Sequence, residues 1–334
     1  MEYARLGSTG LKVSRICLGC MSFGSGMDWM LPEDKSRDII RQALDGGINF
    51  FDTADVYSQG ESERILGRAL KDFAVRREEA VVATKLFHPM GQDPNGRGLS
   101  RKHVFHSIDN SLARLGLDYV DLYQIHRFDK DTPIQETLEA LSEVVASGKA
   151  LYIGASTMAA WQFSKMLFAS DEAGLPRFAT MQNNYSLIYR EEEREMIPLC
   201  VDQGVGLIPY SPIGGGLLAG SRKAGTIRSS SPMARDRFNR PADEAVIDAV
   251  RRVAEGRGVK AAEIAIAWLL GRPGVTAPIV GATKPHHLED PIKAVDTRLT
   301  DEEVSILEGA YETQAPLPVY FRPAPQASAA RAAA

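Results

Sequence analysis

The amino-acid sequence predicts an α/β protein folded as a (β/α)8 TIM barrel, with an N-terminal β-hairpin and a long lid loop after the seventh barrel strand. Short runs rich in β-branched residues alternate with longer segments of helical periodicity, and the alternation occurs eight times. The 334 residues suffice for one such barrel. We therefore predict a single domain over residues 1–320 and a disordered tail over residues 321–334.

The strands are predicted from short apolar runs bounded by turn residues. Before the barrel, Tyr3–Leu6 and Leu11–Val13 flank the turn Gly7–Gly10, a pattern typical of a hairpin that closes the barrel floor. The eight barrel strands follow as Ile16–Gly19, Asn49–Thr53, Ala80–Lys85, Val120–His126, Leu151–Ser156, Thr180–Asn184, Gly206–Tyr210 and Pro278–Gly281.

A helical segment is predicted after each barrel strand. Glycines directly after several of them, such as Gly46 and Gly116, are typical of helix ends. Two additional helices are predicted, Ala261–Leu270 and Asp301–Tyr311, the second with Thr300 as its N-cap. The eight principal helices are Glu33–Asp45, Glu61–Lys71, Lys102–Leu115, Pro133–Ala146, Ala160–Glu172, Glu191–Gln203, Asp243–Glu255 and Lys284–Ala294.

One segment, Ile213–Arg240, interrupts this alternation. It is rich in Gly, Ser and Arg and is longer than an ordinary loop between a strand and a helix. Long loops at this end of a barrel commonly cover active sites, so we predict a mobile lid here.

The composition excludes several classes of protein. The formal net charge is −4, and no basic run is present that would suit a phosphate backbone, so we expect no nucleic-acid partner. The cysteines Cys17, Cys20 and Cys200 lack a second ligand pair for a zinc site and are expected to be reduced thiols. The N-terminus has no apolar signal core, and Ala261–Leu270 is too short to span a bilayer. The sequence thus predicts a cytoplasmic protein without a membrane partner or a metal.

Polar residues close several predicted strands, at the end where TIM barrels carry their active sites. Asp52, Lys85 and His126 are separated by 33 and 41 residues, about one strand–helix unit each, which predicts that they lie on neighbouring strands. A buried Asp and a buried Lys are costly unless they pair. With Tyr57 close by, hydrogen bonding to Lys85 is expected to lower the pKa of the phenol from about 10 towards neutrality. The alternative is an inert ion pair beside a structural histidine.

A set of dispersed motifs resembles the aldo-keto reductase superfamily and occurs in order from about Tyr3 to Ala310. The segments Gln182–Tyr185, Tyr189–Glu195 and Lys284–Leu288 are similar to a bacterial branch that contains the YajO-like reductases and is related to potassium-channel β subunits. The motifs of the superfamily are Asp52-Thr-Ala-Asp-Val-Tyr57, Ala83-Thr-Lys85, Asp121-Leu-Tyr-Gln-Ile-His126, Ile153-Gly-Ala-Ser156, Met181-Gln-Asn183, Pro209-Tyr-Ser-Pro212 and Gly281-Ala-Thr-Lys284.

The resemblance implies an enzyme that uses a nicotinamide cofactor, usually NADPH, with NADH possible, and acts on a small carbonyl compound. The catalytic tetrad would be Asp52, Tyr57, Lys85 and His126. In such an enzyme hydride passes from the cofactor to a carbonyl carbon while Tyr57 protonates the oxygen.

The resemblance also implies the cofactor contacts. Ser156 and Gln182 would bind the carboxamide, and Tyr210 would stack on the nicotinamide ring. His287, Asp290 and Pro291 replace residues that are more usual in the superfamily (Arg or Gln, Glu, and Asn), which weakens the case for NADPH over NADH. Thr157 replaces the more usual Asn beside Ser156, which puts one carboxamide contact in doubt. The full predicted set is Gly19, Met21, Ser156, Thr157, Gln182, Tyr210, Ser211, Pro212, Leu217, Gly220, Gly281, Thr283, Lys284, His287 and Asp290.

Two other functions fit parts of the pattern. Lys85 at a strand end could form a Schiff base in an aldolase, although the other motifs would then have no purpose. The relation to channel β subunits allows a redox-sensing regulatory subunit with slow turnover. The remaining histidines, His88, His103, His106 and His286, lack metal-ligand spacing with a carboxylate partner and are predicted to be solvated or to cap helices.

Overall fold

The computed structural model of the chain describes residues 1–220, 240–284 and 286–316, which contain the predicted barrel of eight parallel strands. The strands pair in the order in which the chain forms them, and the last lies beside the first. Parallel bridges between Leu207 and Val275 and between Tyr210 and Ile279 complete the ring. The barrel strands are β3 (Cys17–Gly19), β4 (Phe50–Asp52), β5 (Val81–Leu86), β6 (Val120–Ile125), β7 (Ala150–Ser156), β8 (Phe178–Gln182), β9 (Gly206–Leu207) and β10 (Ile279–Gly281).

Helices cover the outside of the barrel, and their apolar faces pack on the sheet in one large core. The Thr300 side chain caps the last helix by accepting from the Glu303 N–H, as predicted. The helices are α1 (Glu33–Asp45), α2 (Glu61–Asp72), α3 (Arg101–Leu115), α4 (Ile134–Ala146), α5 (Ala160–Ala173), α6 (Met196–Asp202), α7 (Asp243–Arg257), α8 (Ala261–Leu270), α9 (His286–Ala294) and α10 (Asp301–Gly309).

The sixth predicted helix is not continuous, so the prediction of a single helix over Glu191–Gln203 was wrong. A separate 3-10 turn occupies Glu191–Glu193, and α6 begins only at Met196. The reason is Pro198, which lacks an N–H and is tolerated only in the first turn of a helix. Beginning at Met196 places Pro198 in that first turn.

The N-terminal hairpin closes the floor of the barrel, as predicted. Its strands β1 (Tyr3–Arg5) and β2 (Lys12–Ser14) pair antiparallel. Leu6 and Val13 are fully buried in a cluster with residues from the barrel interior. The turn passes so close to the lower strand ends that a Cβ on Gly7 would lie 2.6 Å from the Ala179 carbonyl oxygen. The floor is therefore sealed, and access to the interior comes from the opposite end.

Two predicted segments fall wholly or mostly outside the described residues. Most of the lid loop Ile213–Arg240 lies in the gap at 221–239, and the tail at 321–334 lies beyond residue 316. The described start of the loop forms a 3-10 turn over Gly214–Ala219. Among the described helices, none is long and apolar enough to cross a membrane.

Candidate active site

The predicted tetrad residues lie together at the carboxyl ends of three adjacent strands. Asp52 is the last residue of β4, Lys85 lies near the end of β5, and His126 follows β6 directly. Tyr57 begins the short 3-10 turn that follows β4. Because the strand order is β4, β5, β6, the four side chains share one end of the barrel.

The Lys85 ammonium is the centre of this cluster. Its Nζ lies 2.5 Å from Asp52 Oδ1, 2.8 Å from the Thr53 carbonyl oxygen and 3.3 Å from the Tyr57 hydroxyl oxygen. These contacts use all three of its protons in a site where the side chain is fully buried. Burial alone would lower the pKa of Lys85, but Asp52 and Tyr57 outweigh it and raise the pKa. Lys85 is therefore charged at neutral pH.

The Asp52 carboxylate is satisfied on both oxygens. Oδ1 accepts from Lys85, and Oδ2 accepts from the side-chain amides of Gln124 and Gln182, each at 2.9 Å. Gln124 lies on β6 inside a motif quoted above, but it carried no predicted role. Its position opposite Lys85 in the β5–β6 register explains why it faces Asp52. A carboxylate with three donors holds its position firmly.

The pKa of Tyr57 corrects one expectation from the sequence. Burial of the hydroxyl raises the pKa above its usual value of 10, although the charge of Lys85 opposes this. The expected lowering towards neutrality was wrong, because the sequence identifies the Lys85 partner but not the loss of water around the phenol. At neutral pH Tyr57 is therefore a protonated phenol whose oxygen contacts a cation.

His126 is buried beside Tyr57 and is neutral. Burial lowers its pKa well below 6.5, and the charges of Lys85 and Arg127 add to this effect. Its ring meets the Tyr57 ring edge-on, with 5.8 Å between centroids. Its Nδ1 is buried without a hydrogen-bond partner among the described residues. A buried ring nitrogen of this kind is available to a bound molecule.

The residues predicted for the nicotinamide lie on the next strands around the barrel. Ser156 ends β7, Gln182 ends β8, and Tyr210 bridges to the chain just after β8. Ser156 Oγ donates to the Gln182 carbonyl, and Thr157 Oγ1 lies 3.1 Å from the same hydroxyl. The Tyr210 hydroxyl and both amide atoms of Asn183 are buried without partners among the described residues. Unsatisfied donors and acceptors here fit a carboxamide-bearing ligand.

The other residues of the predicted cofactor-binding set lie near β3 and β10 and in the loops after β3 and β9. Gly19 on β3 and Gly281 on β10 are paired in register. The Thr283 N–H donates to His287 Nδ1 at 3.2 Å, and Lys284 is exposed. Asp290 is buried and contacts Lys260 at 3.2 Å. Met21, Ser211, Pro212, Leu217 and Gly220 lie in the loops that follow β3 and β9, at the same end of the barrel.

Backbone strain is concentrated around this end of the barrel. Six non-glycine residues among those described have positive φ, a conformation that costs energy and often marks functional sites. Only Ala74 lies away from the mouth. The other five follow β4, β5, β7 and β9, and they are Ser58 (48°), Gln59 (54°), Phe87 (151°), Thr157 (39°) and Ser211 (55°).

Two residues of the site were missed by sequence reasoning. The sequence predicts a capping or solvated role for His88, yet its ring packs edge-on against His126 with 4.7 Å between centroids. No role is predicted for Asp55, yet it is a buried acid three residues after Asp52, and burial raises its pKa to about 7. For His88 the available signal was its position three residues after Lys85.

Comparison with known proteins agrees with this geometry. A family model described as the aldo/keto reductase family matches residues 15–312. The chain is 42% identical to versiconal hemiacetal acetate reductase of Aspergillus parasiticus, over 94% of this chain and 98% of that protein. It is 39% identical to the aldo-keto reductase AMT2 of Alternaria alternata, over 94% and 92%. It is 38% identical to the aldo-keto reductase dtxS3 of Metarhizium robertsii, again over 94% and 92%.

Proposed function

Because the chain belongs to the aldo/keto reductase family and is an oxidoreductase that acts on carbonyl or alcohol groups, we propose that it reduces an aldehyde or ketone with NADPH and with Tyr57 as proton donor. The observation that carries this proposal is the buried contact of Lys85 with both Asp52 and the Tyr57 hydroxyl. The family generally uses NAD(P)H. When bound, the nicotinamide supplies a hydride to the carbonyl carbon.

Tyr57 suits the role of the acid because it still holds its proton at neutral pH. Its raised pKa keeps the phenol protonated until a basic oxygen approaches. Once the proton leaves, the phenolate lies 3.3 Å from the Lys85 ammonium, which stabilises the new negative charge. Asp52 keeps Lys85 in this position and charged.

His126 orients the substrate in this proposal. A neutral imidazole retains one N–H, which can donate to the carbonyl oxygen without competing for the proton of Tyr57. Ser156, Thr157, Asn183 and Gln182 hold the carboxamide of the cofactor, and Tyr210 stacks on its ring. The unpartnered atoms of Asn183 support this assignment, and Asn183 extends the set predicted from the sequence.

The preference for NADPH and the branch of the family are two separate parts of the proposal. Lys284 and His287 would bind a 2′-phosphate beside β10, since a lysine ammonium attracts phosphate as a point charge. The affiliation with the bacterial YajO-like branch stays a prediction, and the three relatives named above are fungal.

The aldolase alternative loses support from the charge on Lys85. A Schiff-base lysine must be a neutral amine to attack a carbonyl. Here Asp52 and Tyr57 raise the pKa of Lys85, and its three protons are all engaged. No observation favours the regulatory-subunit alternative over an enzyme.

The test is oxidation of NADPH and NADH with a reactive aromatic aldehyde, beside a fluorescence titration of both cofactors. We expect turnover with NADPH, and we expect Tyr57→Phe to bind the cofactor normally while losing at least about 100-fold in kcat. Near wild-type turnover by Tyr57→Phe would refute the proton-donor role. Tight cofactor binding by the wild type without turnover would instead favour the regulatory subunit.

A further inference from the structure

A row of aromatic rings runs outward from the proposed proton donor. Tyr57 meets His126 at 5.8 Å, His126 meets His88 at 4.7 Å, and His88 meets Phe87 at 5.3 Å, measured between ring centroids. Each pair is edge-on, with interplanar angles of 84°, 77° and 85°. The four rings thus form one continuous wall from the Lys85 cluster towards the mouth of the barrel.

The backbone holds the outer half of this wall in place. Phe87, directly after the end of β5, has a φ of 151°, a backbone conformation that residues other than glycine rarely adopt. Its carbonyl oxygen accepts from the Gly98 N–H at 2.8 Å, so the loop that follows is tied back to this point. The unusual backbone turn directs the chain so that the His88 ring packs against His126. Strain maintained at such a position favours a functional reason for the orientation.

The wall is uncharged although two cations lie close to it. Burial lowers the pKa of His88 to about 4, and the nearby charge of Arg127 adds to this effect. His126 is neutral for the same reasons. At neutral pH both rings are therefore flat and uncharged, and His88 is half-buried, so that part of its ring borders the open mouth. Such a surface favours contact with another aromatic ring over contact with a charged group.

We propose that His88 is a specificity-determining residue that contacts the substituent of the carbonyl substrate and favours aromatic over saturated carbonyl compounds. This inference rests on the proposed function, in which the carbonyl oxygen lies at Tyr57 and His126. From that point the substituent must extend towards the mouth, because the other end of the barrel is sealed by the hairpin. The next ring along the wall is His88.

The size of the effect follows from ring packing. An edge-on aromatic pair contributes a selective stabilisation that corresponds to about 2- to 12-fold in a rate constant. A saturated ring of the same size buries similar area without this directional term. Loss of the His88 ring should therefore lower the preference for an aromatic substrate by about this factor.

The test compares benzaldehyde with cyclohexanecarbaldehyde, which have the same carbon skeleton and differ in aromaticity. The quantity measured is the ratio of their kcat/KM values with NADPH, and dividing the variant's ratio by that of the wild type removes their intrinsic difference in reactivity. We expect His88→Ala and His88→Gln to lower the ratio by about 2- to 12-fold. We expect His88→Phe to preserve it, because the flat ring remains.

The matched control is His106→Ala, which removes an exposed histidine on α3 and should leave the ratio unchanged. An unchanged ratio in both His88→Ala and His88→Gln would overturn the inference while the proposed function stands. A wild type that reduces neither aldehyde with either cofactor would overturn the proposed function and this inference with it. His88→Gln has nearly the volume of the wild type, so it keeps the test valid if His88→Ala does not fold.

Discussion

The buried acid Asp55 leads to a stability prediction that depends on pH. Its side chain is completely buried behind β4, where one oxygen accepts from Ser107 Oγ at 3.1 Å and the other has no partner among the described residues. Burial, and then the nearby charge of Glu63, raise its pKa from 3.8 to about 7. We predict that Asp55→Asn stabilises the fold at alkaline pH, because the amide has nearly the same shape and cannot ionise.

The sign and the magnitude follow from proton binding. Between about pH 4 and pH 7 the folded protein keeps a proton on Asp55 that the unfolded chain has released, so the wild type loses stability as the pH rises. With pKa values of 3.8 and about 7, the loss from this group grows by about 2 to 3 kcal/mol between pH 5 and pH 8. Below pH 4 the acid is protonated in both states and the loss vanishes. The advantage of Asp55→Asn should grow by this amount over the same range.

The assay is urea unfolding of the wild type and Asp55→Asn at pH 5, 6, 7 and 8, because the difference between the two proteins cancels the titration of all other groups. A contrasting variant, distinct from an independent control because the charge of Glu63 contributes to the raised pKa of Asp55, is Glu63→Gln. Glu63 is also buried, but its carboxylate accepts from Thr84 and from Arg114. Removing that charge leaves the guanidinium without its partner, so we expect a loss of about 3 kcal/mol at pH 8. A difference for Asp55→Asn that stays constant from pH 5 to pH 8 would refute the reasoning.

Two further predictions concern the backbone and can be checked by thermal unfolding. Gly67→Ala should lower the free energy of unfolding by about 2 to 3 kcal/mol, since the new Cβ would lie 2.0 Å from the Leu115 carbonyl oxygen. Gly256→Ala, at an exposed position of α7 where a Cβ would have no atom within 4 Å, should raise the free energy of unfolding by about 0.5 to 1 kcal/mol. Equal effects of these two substitutions would contradict the packing argument. Ser58→Ala and Ser58→Gly both lose the 2.9 Å hydrogen bond to the Phe23 carbonyl. Only Ser58→Ala keeps the strain of a φ of 48°, so it should be about 1 kcal/mol less stable than Ser58→Gly. A Ser58→Ala variant as stable as Ser58→Gly would show that the strain is negligible.

The architecture was predictable because residue propensities, hydrophobic periodicity and turn residues all indicate the same strands and helices. All eight barrel strands, the hairpin and the ten helices occur where periodicity placed them, and most boundaries differ by one or two residues. The exception is the helix at Glu191–Gln203, where Pro198 overrides the helical periodicity. A proline seven residues after the predicted start was a usable signal, since proline is tolerated only in the first turn of a helix.

The partners in the site were also predictable, since a buried Asp and a buried Lys on adjacent strands must compensate each other. What the sequence could not supply is the amount of water that reaches each group. The charge of Lys85 lowers the pKa of Tyr57 and burial raises it, and the effect of burial is the larger of the two. The same missing quantity hid Asp55 and His88, because burial raises the pKa of Asp55 to about 7 and lowers the pKa of His88 to about 4.

This difference in desolvation is itself a consequence of the barrel. In the barrel interior, the Asp52 carboxylate accepts hydrogen bonds from Lys85 and from two side-chain amides. Asp55 lies only three residues further along, but its carboxyl accepts from the neutral Ser107 hydroxyl, and the nearby Glu63 is already paired with Arg114. The two acids of one short motif therefore differ in their surroundings: Asp52 accepts three hydrogen bonds and anchors the proposed catalytic lysine, whereas burial raises the pKa of Asp55 to about 7. A shared sequence motif thus fixes the identity of both acids but not their surroundings, because Asp52 ends β4 and Asp55 lies in the turn that follows it.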